Sequence, residues 1–99
     1  MGQTQHIPSN NSSIIVRDGW TLVTLHNTVV VEFDAERIIL RTGGWDTVTT
    51  RARMNQASNQ FGLGYKVVRE EGATYVHNRI AKIKLGDSVT IDREHYGNR

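Results

Sequence analysis

The chain has no cysteine. That removes disulfides, thiolate zinc sites and cysteine nucleophiles together, and it fits a reducing compartment. Pro8 is the single proline, and it falls in the polar stretch expected to form a loose tail. No apolar run approaches the ~20 residues that span a bilayer, so no membrane contact is expected. The opening MGQTQHIPSNNSS has neither a basic n-region nor an apolar h-region, and no secretory signal is expected there. His6 stands where a myristoylation signal after Met-Gly needs Ser or Thr. Asn10 and Asn11 each match the glycosylation acceptor pattern, which without a signal peptide is read as chance. Phosphate-loop and nucleophile-elbow motifs are missing, and so are closely spaced histidine pairs. The expectation from these absences is a soluble cytoplasmic protein that is not an enzyme and carries no cofactor and no metal.

What is present is ordinary for a folded domain. A chain of 99 residues is one domain by length. Hydrophobic residues at 37% and charged residues at 22% exclude a disordered composition. The formal charge of +2 is too small to imply nucleic acid by itself, so the placement of the charges has to decide. The pattern divides into a polar tail over 1–12, one domain over 13–92 and a second tail over 93–99.

β-branched residues crowd the chain from Ser13 onward. Strands are expected at 13–17, 20–26, 28–33 and 37–42, joined by short turns such as Asp18-Gly19. In the second, Trp20, Leu22 and Thr24 face one way while Thr21, Val23 and Leu25 face the other. In the third, Val29, Val31 and Phe33 share a face. After Gly43-Gly44 the period changes: Thr47, Thr50, Met54, Ala57, Ser58 and Phe61 recur at spacings of three and four. This predicts a helix over 47–61, capped by Asp46 or Thr47 and ended by Gly62. Two further hairpins follow, 65–70 with 73–78 and 79–85 with 88–92. The expected fold is α+β, a mostly antiparallel sheet of seven to eight short strands with one inserted helix packed on it.

That helix carries the candidate site. With Met54 turned to the core, a 100° step per residue puts Ala52, Asn55, Gln56 and Asn59 on the far face, with Arg51 and Arg53 along its edges. No acid occurs from Thr47 to Arg69, whereas a helix built only for solubility mixes signs. Lys66 and Arg69 add charge on the next strand. Arginine binds phosphate or guanine bidentately, and side-chain amides pair with adenine. The expected nucleic-acid-binding residues are therefore Arg51, Arg53, Asn55, Gln56, Asn59, Lys66 and Arg69. The competing reading is a solvated face that binds nothing. Trp20, Trp45, Tyr65 and Tyr75 offer rings for stacking, against core packing as the plainer role. The four histidines, His6, His26, His77 and His95, show no ligand spacing and are read as structural or surface residues.

One segment, GGWDTVTTRARMNQASNQFGLGYKVV (43–68), carries a resemblance. Its Gly43-Gly44-Trp45 turn, Thr47/Thr49/Thr50 start and Arg53-Met54-Asn55-Gln56 core are similar to a segment of small bacteriophage-encoded proteins. The resemblance covers about a quarter of the chain closely. It implies a phage origin, hence a bacterial host cytoplasm, and transfers no activity. Together these readings favour a small non-enzymatic accessory protein that binds nucleic acid or a nucleotide through the helix. The alternatives are an inhibitor that binds a host protein, through the helix or a sheet edge, and a sponge for a nucleotide signal. A homo-oligomer is among the partners expected.

Overall fold

The computed structural model describes residues 12–93. The two expected tails, with Pro8, His6 and His95, lie almost wholly outside the described residues. Nine elements follow one another: β1 (Ser12–Arg17), β2 (Trp20–Leu25), β3 (Thr28–Phe33), β4 (Arg37–Arg41), α1 (Val48–Phe61), β5 (Lys66–Glu70), β6 (Ala73–His77), β7 (Lys82–Lys84) and β8 (Ser88–Asp92). The α+β class and the inserted helix are as expected. The strands form two antiparallel sheets, one ordered β1-β2-β3-β4-β8 and one ordered β5-β6-β7. The helix lies against β5 on one side and β2 and β3 on the other. Among the described residues no helix is long and apolar enough to cross a membrane.

The last expected hairpin is corrected. β8 pairs with β4 and not with β7. Asn78 explains why β7 is so short: its Oδ1 accepts from the N–H groups of Ile80 and Ala81, an Asx-type turn that uses up the start of the expected strand. The Gly86-Asp87 turn then carries the chain to the larger sheet, where Thr42 N–H donates to the Asp87 carbonyl. β3 corrects the simple alternation as well. The register slips between Val23 and Thr24, so Val30 and Val31 are both buried while Val29 is half-buried. An extra residue in one strand is what a β-bulge inserts.

The core is one cluster drawn from both sheets and the helix. Val23, Val31, Leu40 and Met54 have no exposed surface, and Ile38 and Val76 almost none. Phe33 and Phe61 meet at 5.0 Å between ring centroids, which ties the end of the helix to β3. The helix start is fixed by Thr47, whose hydroxyl accepts from Thr50 N–H, and its end by Gly62 at φ 64°. Inside the core, the Tyr65 hydroxyl donates to the Met54 carbonyl at 2.6 Å, and burial pushes the phenol pKa upward.

Candidate nucleic-acid interface

One acid ties an arginine of the helix to an arginine of β5. Asp46 immediately precedes the cap residue and points back along the first turn. One carboxylate oxygen accepts from Arg51 Nη1 at 2.6 Å. The other accepts from Arg69 Nη1 at 3.0 Å and from the Thr74 hydroxyl at 2.6 Å. Burial on its own raises the Asp46 pKa, but the Thr74 hydroxyl and the two guanidinium groups outweigh it and hold the carboxyl below its ordinary value. Arg53 is occupied too: its Nε donates to the Ser12 hydroxyl at 2.9 Å and its Nη1 to Gln56 Oε1 at 3.2 Å.

The amides follow the same pattern. Asn55 donates to the Val67 carbonyl at 2.9 Å and accepts from Val67 N–H at 2.7 Å. It stands in for a neighbouring strand along the open edge of β5. Ser58 continues that edge, donating to the Tyr65 carbonyl and accepting from Tyr65 N–H. Gln56 is a correction. It lies about 160° round the helix from Met54, yet it is only 4% exposed. A helical wheel assumes one covered side, whereas this helix has a sheet beneath it and a strand alongside it. Of the seven expected residues, Asn59 and Lys66 remain exposed without a described polar partner, at a polar hollow shared with Asn55 and Tyr65.

Positive charge free of the core gathers elsewhere, on the outer face of the smaller sheet. Residues facing each other across antiparallel strands share a face. Lys66, His77 and Lys82 therefore form one row across β5, β6 and β7, and Val68, Tyr75 and Lys84 form the next. Lys66, Lys82 and Lys84 are exposed, while Tyr75 and His77 are half-buried. Lys82 sits over the Tyr75 ring at 4.6 Å. Glu70 is the acid of this face; it pairs with Lys82 and lies 3.9 Å from His77 Nε2, an atom otherwise without a hydrogen-bond partner. Its hydrogen bond with Lys82 lowers the Glu70 pKa and raises that of the lysine. Lys82 and Lys84 escaped the sequence reading because they alternate with Ile83, which marks them as an ordinary wet face. The cross-strand row appears only once the register is known.

A second feature lies at the helix start. A tight turn joins β4 to the helix, closed by Trp45 N–H donating to the Thr42 carbonyl, with Gly43 at φ 63° and Gly44 at φ 84°. A Cβ on Gly43 would come within 2.4 Å of the Thr28 methyl, so the position demands glycine twice over. The turn holds Trp45 in solvent at 69% exposure. Beside it opens a cleft of about 450 Å³ whose walls include Leu25, His26, Val30 and five threonines. Among the described residues no lysine or arginine lines it. Among the described residues no group of His, Asp and Glu is arranged to hold a metal ion.

Searches of curated proteins and of solved structures return no match to the chain. A family model described as Kyanoviridae Gp96 protein matches residues 1–95, nearly the whole length, and the chain belongs to this family of phage proteins.

Proposed function

We propose that this phage accessory protein is a non-enzymatic binder of single-stranded nucleic acid. Its contact surface is the outer face of the β5-β6-β7 sheet. The observation that carries the reading is the row Lys66–His77–Lys82 with Lys84 and Tyr75 beside it. Glu70 pairs with Lys82 and lies near His77, which leaves Lys66 and Lys84 without an acidic partner among the described residues. An anionic backbone laid across the strands would supply one, and Tyr75 offers a ring on which a base can stack. A flat face with lysines and an aromatic residue suits a flexible strand better than the groove of a duplex. The helix keeps a supporting part in this reading: Asn59 borders the exposed Lys66, while Arg51, Arg53, Asn55, Gln56 and Arg69 hold the scaffold together.

The test is a titration with short labelled single-stranded DNA, single-stranded RNA and duplex at two salt concentrations. Binding should favour single strands, and its logarithm should fall linearly with the logarithm of salt at a slope of roughly −2 for three phosphates neutralised. Absence of binding at low salt would end this reading.

A second reading rests on Trp45 and the adjoining cleft. An exposed tryptophan on a rigid turn, next to an uncharged and largely apolar recess, is what a protein partner uses as an anchor point. A host protein fits this recess better than a nucleotide does, because among the described residues the lining has no lysine or arginine to hold a phosphate. Co-purification of a specific host protein that is lost with Trp45→Ala but kept when the three lysines are replaced would favour it over the first.

A further inference from the structure

The described residues contain four edge strands, β1 and β8 in the larger sheet and β5 and β7 in the smaller. An open edge is a template for another strand, and folded proteins blunt it with charge, brevity or a cover. Three of the four are blunted. β5 is covered by the Asn55 and Ser58 side chains. β7 has three residues, and two of them are lysines. β8 turns Ile91 and Val89 toward the core and leaves only Ser88, Thr90 and Asp92 exposed. Among the described residues nothing covers β1. Ile14, Ile15 and Val16 are exposed by 40%, 41% and 73%, and the strand carries no charge before Arg17 at its end.

We infer that β1 pairs antiparallel with β1 of a second copy of this chain, about a two-fold axis at Ile15, giving one continuous sheet. The backbone narrows the register: outward-pointing residues must face outward-pointing residues, which an axis at Ile14 or at Ile15 allows. Arg17 and Trp20 flank a two-residue turn, with Asp18 at φ 54° and Gly19 at φ 83°, and such a turn closes a hydrogen-bonded pair. Pairs alternate, so Ser13, Ile15 and Arg17 bond to β2 while the N–H and C=O groups of Ser12, Ile14 and Val16 point outward. Only residues that both point outward can exchange bonds. An axis at Ile15 meets this condition by setting Ile14 against Val16 of the partner copy and Val16 against Ile14 of the partner copy. It also keeps the two helices on the same side of the joined sheet.

Charge complementarity selects the axis at Ile15 over the one at Ile14. It brings Asp18 of the partner copy opposite Ser12, the residue to which Arg53 donates on the helix side. Arg53 then meets an acid from the second copy. The two Arg17 side chains stay apart, because each lies opposite Ser13 and the strand rises about 3.4 Å per residue over the four residues between them.

Because the chain has no cysteine, the register can be read by cross-linking. In this pairing the two Ile15 Cα atoms form a non-hydrogen-bonded pair about 4.5 Å apart, within disulfide reach, while the two Arg17 Cα atoms lie well beyond it. Under mild oxidation, I15C should give a covalent dimer and R17C should not. In the cysteine-free chain, sedimentation should show a reversible monomer–dimer equilibrium. V16K should weaken it by about tenfold or more, and D18N and R53Q should each weaken it with no further loss when combined. Thermal unfolding of each variant at monomeric concentration checks that the fold survives. A chain that stays monomeric at all concentrations, or cross-links through R17C in preference to I15C, overturns the inference. Occupation of the β1 edge by the chain's own first eleven residues would give the first of those results.

Discussion

The helix and the smaller sheet both present positive charge, and they use it differently. On the helix, Arg51 and Arg69 close on Asp46, and Arg53 closes on Ser12 and Gln56. On the sheet, Lys66 and Lys84 stand in solvent and share their face with one acid, Glu70. The first set holds the helix, the turn before it and β5 together. The second set makes no described hydrogen bond or ion pair. Under the proposed function it is this unanswered charge that binds, and the count of basic residues on an element does not report it.

The sharpest way to break the comparison is at Asn55. If its amide serves only the scaffold, Asn55→Ala leaves Val67 N–H and C=O without partners at a position 3% exposed. The expected loss is about 2–3 kcal/mol in denaturant unfolding, with nucleic-acid affinity per folded molecule unchanged. Loss of affinity without loss of stability would return the helix to the binding site.

Asp46→Asn is expected to cost less, about 1–2 kcal/mol, mostly through the lost charge facing the largely buried Arg51, since the amide oxygen can still accept from Thr74 and the contact to the half-exposed Arg69 contributes little. The pH dependence fixes the sign. The folded pKa of Asp46 lies below the ordinary 3.8, so its contribution is complete above that value and is lost as pH falls through the lower folded one. Unfolding curves of the wild type and Asp46→Asn should differ at pH 6 and converge toward pH 2. A gap that stays constant with pH would contradict the hub.

The sheet side sharpens with smaller changes. Tyr75→Leu keeps apolar bulk and removes the ring, so it should weaken single-strand binding by about 1 kcal/mol and leave duplex binding alone. Glu70→Gln removes the acid of the basic face and should strengthen binding by less than about threefold, with the gain disappearing at high salt. Weaker binding in that variant would mean that Glu70 positions Lys82 rather than opposing the ligand.

Much of this fold was legible in the chain. The period switch after Gly44 located the helix, and Thr47 and Gly62 marked its ends because capping chemistry is local. The pairing of β8 was not legible, since Gly86-Asp87 reads as a hairpin turn whichever strand receives the chain. Around the candidate helix the sign of the charge was legible and its partners were not. The stretch from Thr47 to Arg69 has no acid, but Asp46 sits just outside it and reaches Arg69 and Thr74, 23 and 28 residues away. Asn55 looked free for the same reason, because its partner Val67 is 12 residues on and meets it only when β5 lies along the helix. Likewise, Lys66 was singled out while its neighbours Lys82 and Lys84 were not, for the row they form depends on register.

The most direct measurement is the affinity for one short single strand at low salt of two variants beside the wild type, a Lys66/Lys82/Lys84→Gln triple and an Arg51/Arg69→Gln double. The account predicts that the triple loses most of the binding while its unfolding midpoint holds. It predicts that the double keeps the binding while its midpoint falls. Binding lost in the double and kept in the triple would contradict it and place the nucleic acid on the helix.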